Sequence, residues 1–77
     1  MLRYFFNLEG SLLPDDAQGT LLDGPEQARS EAVIFAGEML KATNGKFWGK
    51  PAWCMHVTDE HGATVCMLSI KGLTGDA

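Results

Sequence analysis

One stretch of the chain, residues 23–45, has the periodicity of an amphipathic helix, and the apolar runs on either side of it have the character of β-strands. A single helix can cover only one face of a small sheet. Two strand-like segments before the helix and two after it give the element order β-β-α-β-β. We predict a two-layer α+β fold, with the helix on one face of a small, mainly antiparallel sheet. Because a chain of 77 residues has no room for a second core, residues 1–77 are expected to form one domain.

The ends of the helix are predicted from the residues that flank it. Asp23 and Glu26 have the spacing of a capping box, and Pro25 suits the first helical turn because its missing N–H would be unpaired there. At the other end, Asn44 and Gly45 supply the left-handed conformation that ends a helix. Helical periodicity places seven apolar side chains on the arc expected to face the core: Ala28, Ala32, Val33, Phe35, Ala36, Met39 and Leu40.

The segment before the helix is predicted to form one strand and two short extended arms. Residues 2–8 are aromatic and alternate as a strand does. The arms, at residues 12–13 and 20–22, lie on either side of a turn. In that turn Asp16 can bind its own backbone and Gly19 can adopt a positive φ.

The segment after the helix is predicted to be a hairpin of residues 52–58 and 63–70. If Gly62 takes the left-handed position of a turn with a G1 bulge, Asp59 pairs with Ala63. Counting back from that pair gives three further pairs: Val57 with Val65, Met55 with Met67, and His56 with Cys66.

This register places Cys54, His56 and Cys66 on one face, where they are candidate zinc ligands. A fourth ligand is missing and the chain has no Cys-x-x-Cys spacing, so simple packing is the expected role of the cysteines, and no metal or cofactor is expected. Cysteine catalysis would also need a hole for the oxyanion, so we expect no catalytic residues and no enzymatic activity. Two cysteines are too few for a disulfide framework, which favours a reducing, cytoplasmic location.

The charge of the chain is polarised along its length. The formal net charge of −4 opposes a general role in binding nucleic acid or an anionic membrane. No apolar stretch approaches the roughly 20 residues that span a bilayer. Residues 41–77, in contrast, carry four lysines against three acidic residues. The lysines there alternate with aromatic residues, and the candidate interaction residues of this loop are Lys46, Phe47, Trp48, Lys50 and Trp53.

Several segments together, in order and spacing, resemble a family of short bacterial proteins known as the domain of unknown function DUF6894. They are Arg3-Tyr4-Phe5-Phe6-Asn7-Leu8, the turn and arm at residues 13–22, the helix start at residues 28–32 and, more loosely, the hairpin at residues 57–65. The family often has His or Asp where this chain has Asn7, and its loop after the helix is seldom so basic and aromatic. The resemblance implies a fold but no activity, cofactor or catalytic residue.

The expected function is that of a non-enzymatic protein-interaction module that self-associates as a homodimer, because one sheet face has no helix to cover it. Ile34 lies on the polar arc of the helix and would sit at the centre of a dimer packed through helices. Trp48 and its loop are the other expected contact. One alternative is a nucleic-acid accessory protein that grips single strands through residues 46–53. A second is an antitoxin-like or inhibitor protein whose acidic half binds a basic partner, and no small-molecule substrate is evident.

Overall fold

The computed structural model describes residues 1–10, 15–43, 48–49 and 51–75. Its elements are β1 (Leu2–Glu9), β2 (Thr20–Leu22), α1 (Pro25–Ala42), β3 (Trp53–Asp59) and β4 (Thr64–Ile70). The strands form one open antiparallel sheet in the order β2-β1-β3-β4, with α1 on one face. The predicted α+β fold with element order β-β-α-β-β is confirmed. The predicted arm at residues 12–13 and the helix end at residues 44–45 lie outside the described residues.

The core lies between α1 and alternate residues of the sheet. The helix contributes small side chains at successive turns, so its backbone can lie close to the strands. These side chains are Ala28, Ala32 and Ala36, all at most 4% exposed. The largest fully buried side chains come from β1 and β3: Tyr4, Met55 and Val57. Beside them the ring of Phe6 meets that of Phe35 edge to face, with centroids 4.9 Å apart.

The turn before β2 is held against β1 by Asp16. Its Oδ1 accepts the backbone N–H groups of Gln18 and Gly19, and its Oδ2 accepts that of Phe6 at 3.1 Å. The backbone N–H of Asp16 donates in turn to Asn7 Oδ1 at 2.6 Å. Gly19 has φ 72°, and a Cβ at this position would lie 2.8 Å from Arg3 Cγ. The predicted roles of Asp16 and Gly19 are therefore confirmed.

The predicted capping box at the start of the helix is wrong. Gly24 is the N-cap residue, and no side chain caps the helix through a hydrogen bond. Instead, Gln27 Oε1 accepts the backbone N–H of Asp23 at 2.7 Å. The cap is displaced by one residue because Pro25 takes the first helical position, as predicted, so the residue before it must be the cap.

Val33 also departs from the predicted apolar arc, since 62% of it is exposed. It lies beside Cys66, Met67 and Leu68 on the flank of α1 nearest β4. The sheet ends at β4. Within the described residues, this flank of the helix therefore has no further strand beneath it.

Gly37 offers a direct test of the placement of α1, because it lies inside the helix and nothing is within 4 Å of the position of an added Cβ. We expect Gly37→Ala to raise the free energy of unfolding by about 0.5–1 kcal/mol, since Ala restricts the unfolded chain and favours the helix. Urea denaturation of the wild type and the variant measures the difference. Gly24→Ala, at the cap position, is the control and should give no such gain. A loss of stability in Gly37→Ala would contradict the exposed position of Gly37 in α1.

The turn between β3 and β4 forms as predicted. Gly62 has φ 82°, and the backbone N–H of Asp59 donates to the carbonyl of Ala63 at 3.0 Å. Asp59 Oδ1 accepts hydrogen bonds from the backbone N–H groups of His61 and Ala63. These two bonds stabilise the turn.

Beyond this turn the predicted register is wrong by one residue. Thr58 faces Thr64, as predicted, but Val57 pairs with Cys66 instead of Val65 because the strands bulge at this point. A one-residue shift in register exchanges the two faces of a strand. The bulge therefore decides which side chains of β4 face the helix. The predicted register would turn Met67 and Ser69 toward the helix. The observed one places Cys66, Leu68 and Ile70 there, where they pack against the core.

Candidate functional site

β4 is the longer of the two edge strands of the sheet in the described part of the chain. β4 pairs with β3 on one side, and the described residues place no strand on its other side. Its seven residues, Thr64–Ile70, include no charged residue and no proline. Natural edge strands are usually protected by charge, proline, bulges or short length. β2, at the opposite edge, has only three residues, whereas β4 has seven, with a bulge at its start. Just past the end of β4, Gly72 forms a bridge with Trp48, and its carbonyl accepts the backbone N–H of Gly49.

Exposed apolar side chains lie on both sides of this edge. Met67 is 59% exposed on the sheet face away from the helix, and Val33 is 62% exposed on the helix flank. Between α1 and β4 runs a shallow groove of about 190 Å³, whose lining includes Val33, Cys66 and Leu68. We call Val33, Met67 and the strand β4 the β4 rim. In the described part of the chain, the rim combines the backbone of an edge strand with apolar surface, which are the two features that strand addition uses.

The interaction residues predicted from the sequence fall in different places. Ile34 is 50% exposed on α1, and Trp48 is 51% exposed. Trp53 is only 7% exposed, so its ring contributes to packing rather than to an open surface. Lys46, Phe47 and Lys50 lie outside the described residues. Of the described interaction candidates, Ile34 and Trp48 are therefore exposed and Trp53 is buried.

The bulge separates the three zinc candidates, so their predicted convergence on one face is wrong. Cys66 pairs with Val57 and faces the helix, whereas His56 pairs with Met67 on the open face. Cys54 lies on the same open face as His56, two residues away on β3. Over residues 1–10, 15–43, 48–49 and 51–75, no group of three or more His, Cys, Asp or Glu side chains is placed to hold a metal ion.

His56 instead joins three strands through hydrogen bonds on the open face. Its Nδ1 lies 3.3 Å from Glu9 Oε1, and its Nε2 lies 2.7 Å from Thr64 Oγ1. The His56 side chain is 26% exposed and that of Glu9 is 58% exposed. Carboxylate, imidazole and hydroxyl thus form a chain across β1, β3 and β4. Sequence reasoning missed this chain of side chains because the pairing of β1 with β3, which brings Glu9 to His56, was not predicted.

A cavity of about 290 Å³ lies between α1 and the sheet. Its walls are mainly apolar and include Phe6, Leu8, Phe35 and Met39. Asp16 also lines the cavity, but its carboxylate already accepts hydrogen bonds from three backbone N–H groups. The cavity therefore offers little polar chemistry with which to orient a ligand.

Comparison with known proteins gives a family but no activity. No curated protein and no solved structure matches the chain. In the part of the chain that the structure describes, no helix has the length and apolar character needed to cross a membrane. The family model for a domain of unknown function, DUF6894, matches residues 3–71, from β1 to the residue after β4. This chain therefore belongs to the DUF6894 family.

Proposed function

We propose that this chain is a non-enzymatic protein-interaction module that self-associates through the β4 rim. The observation that carries the proposal is the uncharged edge strand of seven residues, with exposed Val33 and Met67 on its two sides. The N–H and C=O groups of such an edge can pair with a strand of another chain as they would with a neighbouring strand of their own sheet.

A second copy of the same chain is the partner that this edge fits best. Two identical strands that pair antiparallel are related by a two-fold axis, so one contact covers both exposed edges. The chain carries a net charge of −4, yet β4 has no charged side chain. Pairing of β4 with its copy therefore brings together no like charges within the strands.

Size gives a further reason to expect association. A single core in a chain below about 80 residues rarely supplies more than about 3–5 kcal/mol of stability. Here the side chains that β4 turns toward the helix are only partly buried: Cys66, Leu68 and Ile70. A second sheet edge would bury more of this apolar surface and so stabilise each copy.

The proposed setting is the bacterial cytoplasm. The resemblance to bacterial proteins and the two free cysteines support it. Cys54 and Cys66 lie on opposite faces of the sheet, so they suit a reducing compartment. The nucleic-acid and antitoxin-like alternatives stay predictions.

Sedimentation velocity over a series from micromolar to millimolar protein tests the proposal. We expect a reversible shift from the 8.4 kDa mass of one chain to twice that mass as the concentration rises. A single species of 8.4 kDa over the whole series would refute self-association.

A further inference from the structure

We propose that Thr64 is a base-activated hydroxyl that accepts an acyl group from an activated acyl donor, such as an acyl phosphate, a thioester or an activated ester. The proposal rests on the hydrogen-bonded chain from Glu9 through His56 to Thr64. It goes beyond self-association and does not depend on it.

The three side chains have the arrangement by which a hydroxyl is activated: a nucleophile, a base within hydrogen-bond reach, and a third group that orients the base. Thr64 Oγ1 lies 2.7 Å from His56 Nε2, and Glu9 Oε1 lies 3.3 Å from His56 Nδ1. An ionised carboxylate can only accept a hydrogen bond, so Glu9 favours the tautomer with the proton on Nδ1. Nε2 is then free to accept the hydroxyl proton of Thr64.

The hydroxyl is accessible to a small donor. Thr64 is exposed as the first residue of β4, on the sheet face that α1 does not cover. The site is an open strand surface and not a cleft. Efficient turnover depends on donors arranged around the oxyanion in a site that excludes water. We therefore expect one acylation per chain and no rapid turnover.

The reaction is a simple acyl transfer. Thr64 Oγ1 attacks the carbonyl carbon of the donor while His56 Nε2 takes the hydroxyl proton. The tetrahedral intermediate then collapses, the bond between the carbonyl carbon and the leaving group breaks, and His56 returns the proton to the leaving group. The products are an ester on Thr64 and the protonated leaving group, and no electron transfer is involved.

The test is to incubate the full chain with p-nitrophenyl acetate and to locate acetyl groups by peptide mass spectrometry. Alkaline hydroxylamine removes acetyl from threonine esters but leaves lysine amides, so it separates the two products. Thr58 is an internal control, since it lies opposite Thr64 in the register and no hydrogen bond joins its hydroxyl to His56. We expect an ester on Thr64 and none on Thr58.

Variants of the chain distinguish activation of the Thr64 hydroxyl by His56 from mere exposure of that hydroxyl to the donor. His56→Gln should slow acetylation of Thr64 about 100-fold, because general-base assistance contributes at least that much in favourable cases. His61→Gln, in the adjacent turn, should leave the rate unchanged, and circular dichroism checks that each variant folds. If His56→Gln does not fold, Thr64→Ser keeps the base intact and should still form the ester at this position. Equal labelling of Thr58 and Thr64, an unchanged rate in folded His56→Gln, or no ester in Thr64→Ser would overturn the proposal.

Discussion

Met67→Lys should convert the proposed dimer to a monomer. In the free chain Met67 is 59% exposed, so a lysine there keeps its charge in water and the fold should persist. In the dimer the lysines of the two copies would approach each other across paired edges. Repulsion and desolvation there should weaken association by about 100-fold or more.

Ile34→Lys is the matched control, because Ile34 is 50% exposed but lies on α1 and outside the groove beside β4. We expect this variant to sediment as the wild type does. Circular dichroism and thermal melts at low concentration check that both variants fold. If Ile34→Lys dissociates the dimer and Met67→Lys does not, the dimer is packed through helices and the proposed role of the β4 rim is wrong.

Asp16→Ala should lower the free energy of unfolding by about 2–3 kcal/mol, a large part of what a domain of this size possesses. Its carboxylate accepts backbone N–H groups from Phe6, Gln18 and Gly19, and thereby joins the turn to β1. Without the carboxylate these donors lose their partner, and the N–H of Phe6 does so in a partly buried position. Urea denaturation measures the loss.

Asp15→Ala provides the comparison, because Asp15 is exposed and makes none of these contacts. Its removal should change the free energy of unfolding by less than about 0.5 kcal/mol. Asp16→Asn keeps one acceptor oxygen and should fall between the two. Equal stability of Asp15→Ala and Asp16→Ala would show that the hydrogen bonds of Asp16 contribute nothing net.

Local signals predicted most of the fold. The element order follows from a helical period bordered by β-type runs, and Pro25 places the helix start to within one residue. The turns at Gly19 and Gly62 are predictable because each needs a positive φ that other residues adopt at a cost. These features depend on neighbours in the sequence, so no knowledge of the sheet is required.

The candidate sites were less predictable because they depend on contacts between distant segments. Core packing accounts for the bulge beside Thr64. The bulge places Leu68 and Ile70 under the helix, where the predicted register would place Met67 and Ser69. The bulge separates Cys66 from His56, whereas Thr64 faces Thr58 in both registers and its hydroxyl lies beside His56. The exposure of Val33 depends on β4 being the last strand, and the sequence does not specify strand order.

Hydrogen–deuterium exchange of the backbone amides, measured by residue at low and high protein concentration, tests the β4 rim most directly. If β4 pairs with its copy, the amides of residues 67–70 that point away from β3 exchange rapidly in the monomer and become protected as the dimer forms. The amides of β2 should keep the same exchange rates at both concentrations. Protection that appears in α1 while β4 stays unchanged, in a sample shown to be dimeric, would contradict the account.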